Sequence, residues 1–262
     1  MKNKVAISLI VILSVCVIIL TGGMIYLLNG GSKIKLDFMF GNRNMILVDN
    51  YTTEAININK IYLNLNSTDV EINESIDNNV KVEYYSNRDN NAKIEYEEGV
   101  LSVNEEKYDT SCIGICNTRR KVIVSVPSDY KTNYEVKLKS GDLKSNIDLS
   151  GNNMAVSTMS GDVKLNKVSD ISISAMSGDI IVDDIVGTIS FSTMSGDVRI
   201  RNFNITSNST VSTMSGDVKI NYLSGSYVES STKSGDIKIN NNDRKSDIVL
   251  KINTSSGDIS IN

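Results

Sequence analysis

Seven carboxylates recur along the second half of this chain, each as the last residue of a Ser-Gly-Asp tripeptide: Gly141-Asp142, Gly161-Asp162, Gly178-Asp179, Gly196-Asp197, Gly216-Asp217, Gly235-Asp236 and Gly257-Asp258. A regular column of carboxylates is chemistry for cations, and Ca²⁺ is the ion to weigh first. Calcium-binding coils supply several oxygen ligands per short turn, however, whereas this pattern supplies a single Asp per coil of roughly twenty residues. The tripeptide therefore reads as a structural corner, with Gly permitting a positive φ and Ser and Asp bonding nearby amides. No metal and no cofactor is expected. The second chemical candidate is Cys112 with Cys116 in Ser-Cys-Ile-Gly-Ile-Cys, expected in a hairpin loop between strand-like Val100–Val103 and Lys121–Val126. An exported pair this close could close a small disulfide ring or remain as free thiols, and it makes a poor zinc site without other Cys or His nearby.

The chain contains no His, which removes the commonest general base and metal ligand together with Ser-His-Asp and Cys-His catalysis. Seven copies of one tripeptide also speak against an active site, which is a single asymmetric constellation. The carboxylate pairs Asp183-Asp184 and Glu105-Glu106 would point to opposite faces of a strand and read as solvated charges. Hence no enzyme is expected. The net charge is −4, and because Lys2 and Lys4 precede an apolar segment, residues 29–262 carry −6. Strong nucleic-acid binding is excluded on that balance.

The elements that position the tripeptide follow from periodicity. After each glycine the pattern is Asp, apolar, polar, apolar, as in Asp162-Val163-Lys164-Leu165 and Asp197-Val198-Arg199-Ile200, which is a strand with one buried face. Apolar residues five and seven positions before each glycine, such as Ile189 with Phe191, mark a second strand feeding the corner. Gly151, Gly187 and Gly225 punctuate the opposite side. Each repeat is thus strand, turn, strand, turn. The fold class expected is all-β: a repetitive, parallel β-helix-like β-solenoid, preferred to a sandwich of hairpins because one tripeptide recurs at one corner.

Successive coils should bring the Asp residues into a column at ~4.8 Å spacing. Lys144, Lys164, Arg199, Lys219 and Lys238, two residues beyond, should form the basic column that offsets their repulsion. Met159, Met176, Met194 and Met214 lie two before the glycine, where they are expected to fold over the corner and cover the core; the alternative is an outward, sulfur-lined ridge. The last strand, Asp258 to Ile261, has no evident cap and predicts self-association or a partner strand.

Residues 55–126 show looser alternation, and Asn66-Ser67-Thr68-Asp69-Val70 reads as a degenerate corner with Thr for Gly. The β-repeat domain is therefore set at residues 55–262, with Ser-Gly-Asp coils from about residue 134. Residues 29–54 read as a linker. Val5 to Leu28 is an uncharged run of twenty-four residues, about 36 Å as a helix, enough to cross a hydrocarbon core of ~30 Å. It predicts one N-terminal transmembrane helix, with residues 1–4 as a cytoplasmic tail and the C-terminal domain outside the cell membrane.

Lys121-Val-Ile-Val-Ser-Val-Pro127, then Val136-Lys-Leu-Lys-Ser-Gly-Asp-Leu143 and the later Ser-Gly-Asp coils, resemble the bacterial putative adhesin family over roughly residues 55–262. That resemblance implies β-strand-repeat envelope proteins with no settled biochemical function and no catalytic residues to carry over. The expectation is a non-enzymatic, membrane-anchored extracytoplasmic scaffold that binds a cell-wall polymer or surface protein. The alternative is an envelope-stress or regulatory protein acting through a membrane-protein partner.

Overall fold

The computed structural model describes residues 44–87, 92–106, 118–240 and 242–262. The predicted membrane segment Val5–Leu28, Cys112 and Cys116 lie outside the described residues. Among the described residues no helix is long and apolar enough to cross a membrane. The strands are β1 (Ile46–Glu54), β2 (Lys60–Ser67), β3 (Asp69–Glu74), β4 (Asn79–Ser86), β5 (Ala92–Glu97), β6 (Val100–Glu105) and β7 (Arg120–Val126). They continue as β8 (Asn133–Ser140), β9 (Leu143–Leu149), β10 (Met154–Ser160), β11 (Val163–Val168), β12 (Ile171–Ser177), β13 (Ile180–Gly187) and β14 (Ile189–Ser195). The last are β15 (Val198–Ile205), β16 (Ser209–Ser215), β17 (Val218–Ser224), β18 (Tyr227–Ser234), β19 (Ile237–Ile239), β20 (Val249–Ser256) and β21 (Ile259–Ile261).

Two sheets result. The first runs β1-β4-β7-β3-β9-β11-β13-β15-β17-β21-β19 and the second β18-β20-β16-β14-β12-β10-β8-β2-β6-β5. All neighbours are parallel except β1 and β4 in the first sheet and β5 in the second. Each corner passes the chain from the second sheet to the first, so β10–β11, for example, make one coil. Equivalent residues stack in register: Val156 pairs with Ile173, which pairs with Phe191, which pairs with Val211. Those inward residues are buried, as are Val163, Ile180, Val198 and Val218 opposite them. The alternation therefore does what period two requires, filling the space between the sheets with one face of every strand.

Three expectations are corrected. Val100–Val103 and Lys121–Val126 do not form a hairpin: β6 and β7 lie in different sheets, as the two strands of one coil. Nor do coils stack in chain order at the ends. The β2–β3 coil packs on β8–β9, and the later β6–β7 coil lies outside it. At the other end β20–β21 inserts between β16–β17 and β18–β19, so Asp258–Ile261 is an interior layer and β18–β19 is the open one. Composition explains this placement. The β20–β21 coil turns Leu250, Ile252, Ile259 and Ile261 inward, all fully buried, whereas β18 offers the smaller Val228 opposite Leu250 and the polar Ser230 opposite Ile252. Covering the more apolar coil on both sides removes more apolar surface from water.

The third correction concerns Glu105. Its side chain is wholly buried and pairs with Arg120 at 2.8 Å. It also accepts from the Asn66 amide at 2.6 Å and the Thr68 hydroxyl at 3.0 Å. It is no solvated charge, because its strand turns it to the inside of the coil, at the level where Leu65 stands in β2.

Candidate binding face

The corners come first, since they fix every outward side chain. The seven glycines have φ between +131° and +153°. A Cβ on Gly161 would sit 2.0 Å from the carbonyl oxygen of Gly141, and one on Gly196 would sit 2.1 Å from that of Gly178. Backbone approaches backbone here, and no side chain fits between. The first glycine, Gly141, rests instead on the carbonyl of Thr68, which places the Asn66–Val70 segment as the corner of β2–β3.

The Asp side chains do not bond within their own turn. Asp162 donates its amide to the Asp142 carboxylate at 2.9 Å, Asp179 to Asp162 at 3.0 Å, Asp197 to Asp179 at 2.9 Å and Asp217 to Asp197 at 2.8 Å. The ladder starts at Asp69, which accepts from Asp142, and continues through Asp258 to Asp236. One oxygen of each carboxylate is thereby committed to a neighbouring coil. Ion pairs supplement it at Lys164 with Asp162, 3.3 Å, and at Arg199 with Asp179, 2.7 Å. Burial opposes ionisation of Asp179, but the Asp197 amide and the Arg199 guanidinium outweigh it and hold the carboxyl below its usual range. Among the described residues no three His, Cys, Asp or Glu are grouped to hold a metal.

With the corners fixed, the outer faces of the two sheets differ in kind. The first sheet turns out Lys144, Lys164, Arg199 and Lys219, with Asp183 bonded to Arg201 at 2.8 Å. The second sheet is uncharged over β10, β12, β14 and β16. Its outward rows are Ala155, Ser172, Ser190 and Thr210, then Ser157, Ser174, Ser192 and Ser212, aligned strand to strand. Beside them stand Met159, Met176, Met194 and Met214, exposed to 50%, 48%, 47% and 55%. They do not fold over the corner as expected: strand parity carries on to the turn and sets them in an outward ridge. Strand spacing makes the face about 14 Å across and about 13 Å along the strands.

The face has boundaries. On one side Lys60 pairs with Glu135, which also meets Lys137 at 2.6 Å, and both lysines lie over the Tyr62 ring. On the other stand Lys251 and Asn253 of β20. An open groove of about 700 Å³ follows the strand starts, sharing Ala155, Ser172 and Ser190 with the face and adding Asn153, Asp170 and Thr188. Hydroxyls on a fixed lattice both donate and accept, and thioethers offer soft apolar contact. Such a surface offers hydrogen bonds and soft apolar contact, with no charge of its own to pair with an ionised ligand.

The sequence contained this face only in part. The methionines stand out in the sequence as a column, whereas the serine rows are carried by weaker patterns, Ser-x-Ser-x-Met before Gly178 and Gly196 and Ser-Thr-Met before Gly161, Gly196 and Gly216.

Solved structures similar to the chain include three bacterial proteins. One is described as a putative cell adhesion protein from Clostridium sporogenes ATCC 15579, with 17% identity, 83% of this chain and 99% of that one covered, and a TM-score of 0.43. A putative adhesin from Parabacteroides distasonis ATCC 8503 shares 14% identity over 84% and 98% of the two chains, with a TM-score of 0.49. A putative adhesin from Bacteroides fragilis NCTC 9343 shares 12% over 84% and 98%, at 0.40. No curated protein matches. The family model for Toastrack DUF4097 matches residues 58–262, which contain every parallel coil and the whole of the uncharged face, and the chain belongs to that family.

Proposed function

We propose that this protein is a non-enzymatic binding scaffold, anchored in the cell membrane by Val5–Leu28, whose solenoid lies outside the cytoplasm and holds an uncharged cell-envelope polymer on its second sheet. The observation that carries the reading is the uncharged Ser and Met face, four strands wide and bounded by charged strands. A neutral polysaccharide running across the strands would meet a hydroxyl from every coil, and the methionine ridge would flank it. Repetition then adds weak contacts in parallel.

The test is binding of the full-length chain, in detergent micelles, to purified uncharged wall polysaccharide. Ser174→Asp with Ser192→Asp places two charges on the face without touching the core, and it should abolish saturable binding while the circular dichroism spectrum stays unchanged. Binding that survives this change sinks the reading. One observation favours the alternative, a regulatory protein with a membrane-protein partner: thioethers adapt to a protein surface as readily as to a sugar. Capture of one membrane protein through Met176 and Met194, with no polymer bound, would select it.

A further inference from the structure

The coil that closes the stack in space is unfinished. Ile237 is 44% exposed, whereas Val218 and Ile259 at the same register are fully buried. Asp69, Asp142, Asp162, Asp179, Asp197, Asp217 and Asp258 each accept the amide of the next layer, and Asp236 is the end of that ladder. Along β18, Tyr227 donates its amide inward to Ile248, while Val228 donates away from β20, to the Asn242 side chain at 2.9 Å. Strand alternation then directs the amides and carbonyls of Ser230 and Thr232 to the open edge.

We propose that two copies of the chain join through these edges, β18 antiparallel to β18 about a two-fold axis at Ser231. In that register Ser230 lies opposite the partner's Thr232 as a hydrogen-bonded pair, which is the parity the edge presents. Glu229 then lies opposite the partner's Lys233, and Lys233 opposite the partner's Glu229. Both are exposed and on the outer face. The strand is thus complementary in charge to its own reverse, which is the requirement of an isologous interface. Among the described residues the other end of the stack offers no equal match. There β1 is interrupted by a register shift between Leu47 and Asp49, and β5 laid against its own reverse would pair Lys93 with the partner's Glu97 only by setting Glu95 against the partner's Glu95. Association closes at two copies and does not run on into a filament.

Sedimentation of the full-length chain in detergent, over a range of concentrations, should show a reversible dimer. Glu229→Lys or Lys233→Glu alone sets like charges opposite each other twice, and each should raise the dissociation constant about tenfold or more. Mixing the two single variants should restore dimers, because each then supplies what the other lacks, and the double exchange E229K/K233E should restore them within one chain. A monomer at every concentration overturns the proposal. So does a dimer that both single variants leave intact, or an edge that takes up a foreign extended peptide in preference to its own copy.

Discussion

The coils from β8–β9 to β16–β17 solve their corner in one way, and the coil at the near end solves it in another. In the middle, a glycine lies against the carbonyl of the glycine beneath it, or of Thr68 in the case of Gly141, and an aspartate accepts the next layer's amide. At β6–β7 the inward Glu105, paired with Arg120, takes over and satisfies the amides of Asn66 and Ser67 and the hydroxyl of Thr68. The difference teaches what the repeated tripeptide is for. A corner whose Cβ would meet the carbonyl of the layer beneath leaves no room for a side chain, and this holds even in the open layer, where a Cβ on Gly235 would sit 2.2 Å from the Gly257 oxygen. The Thr68 corner lies over the β6–β7 coil instead, and there its polar groups are met by one buried charge.

The comparison can be broken at its strongest point first. Gly196→Ala puts a Cβ 2.1 Å from a backbone oxygen at φ +146°, and should cost about 4 kcal/mol or more, read by urea denaturation. Thr68→Gly, at the corner that lies over β6–β7, should cost far less. Glu105→Ala removes the carboxylate that Arg120 and the Asn66 and Ser67 amides share and should cost about 3–5 kcal/mol. A solvated glutamate would cost nothing measurable. The ladder itself is weaker per rung. Asp197→Ala should lose about 1 kcal/mol, while Asp236→Ala, at the end of the ladder, should leave stability unchanged in the same assay.

The smallest effect is in pH. Because the Asp179 carboxyl titrates below its usual range, its contribution is present above the unfolded value and is lost as pH falls through the lowered one. Carboxyl NMR titration of Asp179 should show that direction, and Arg199→Gln should bring the midpoint back up.

Much of the architecture was legible beforehand because period-two alternation and a recurring glycine are local signals. The second strand of each coil, the corner at Thr68 and the parallel pairing of equivalent residues all follow from them. Spatial order at the ends was not legible. Every coil turns inward residues at the same register, so β21 can lie on β17 as well as β19 can, and only Leu250 and Ile252 of β20, set against Val228 and Ser230 of β18, decide between them. Glu105 was hidden for a related reason: adjacent carboxylates alternate across a strand, and nothing local says which of the two faces the core. The Asp ladder escaped because its partners are 17 to 41 residues away for Asp179 and Asp258.

The placement of β20–β21 also sets a timetable. Strands β18 and β19 emerge from synthesis before Val249–Ile261, yet they cannot dock where they belong until that later stretch has filled the layer beneath them. A stack that could have grown one layer at a time from its amino-terminal side must instead hold its last-but-one segment in waiting. The exposed top of β16–β17 is shielded only when the later coil arrives. Interruption of the chain after Asn240 would therefore leave β18–β19 free to settle one level too low, giving a shorter stack closed by the wrong layer.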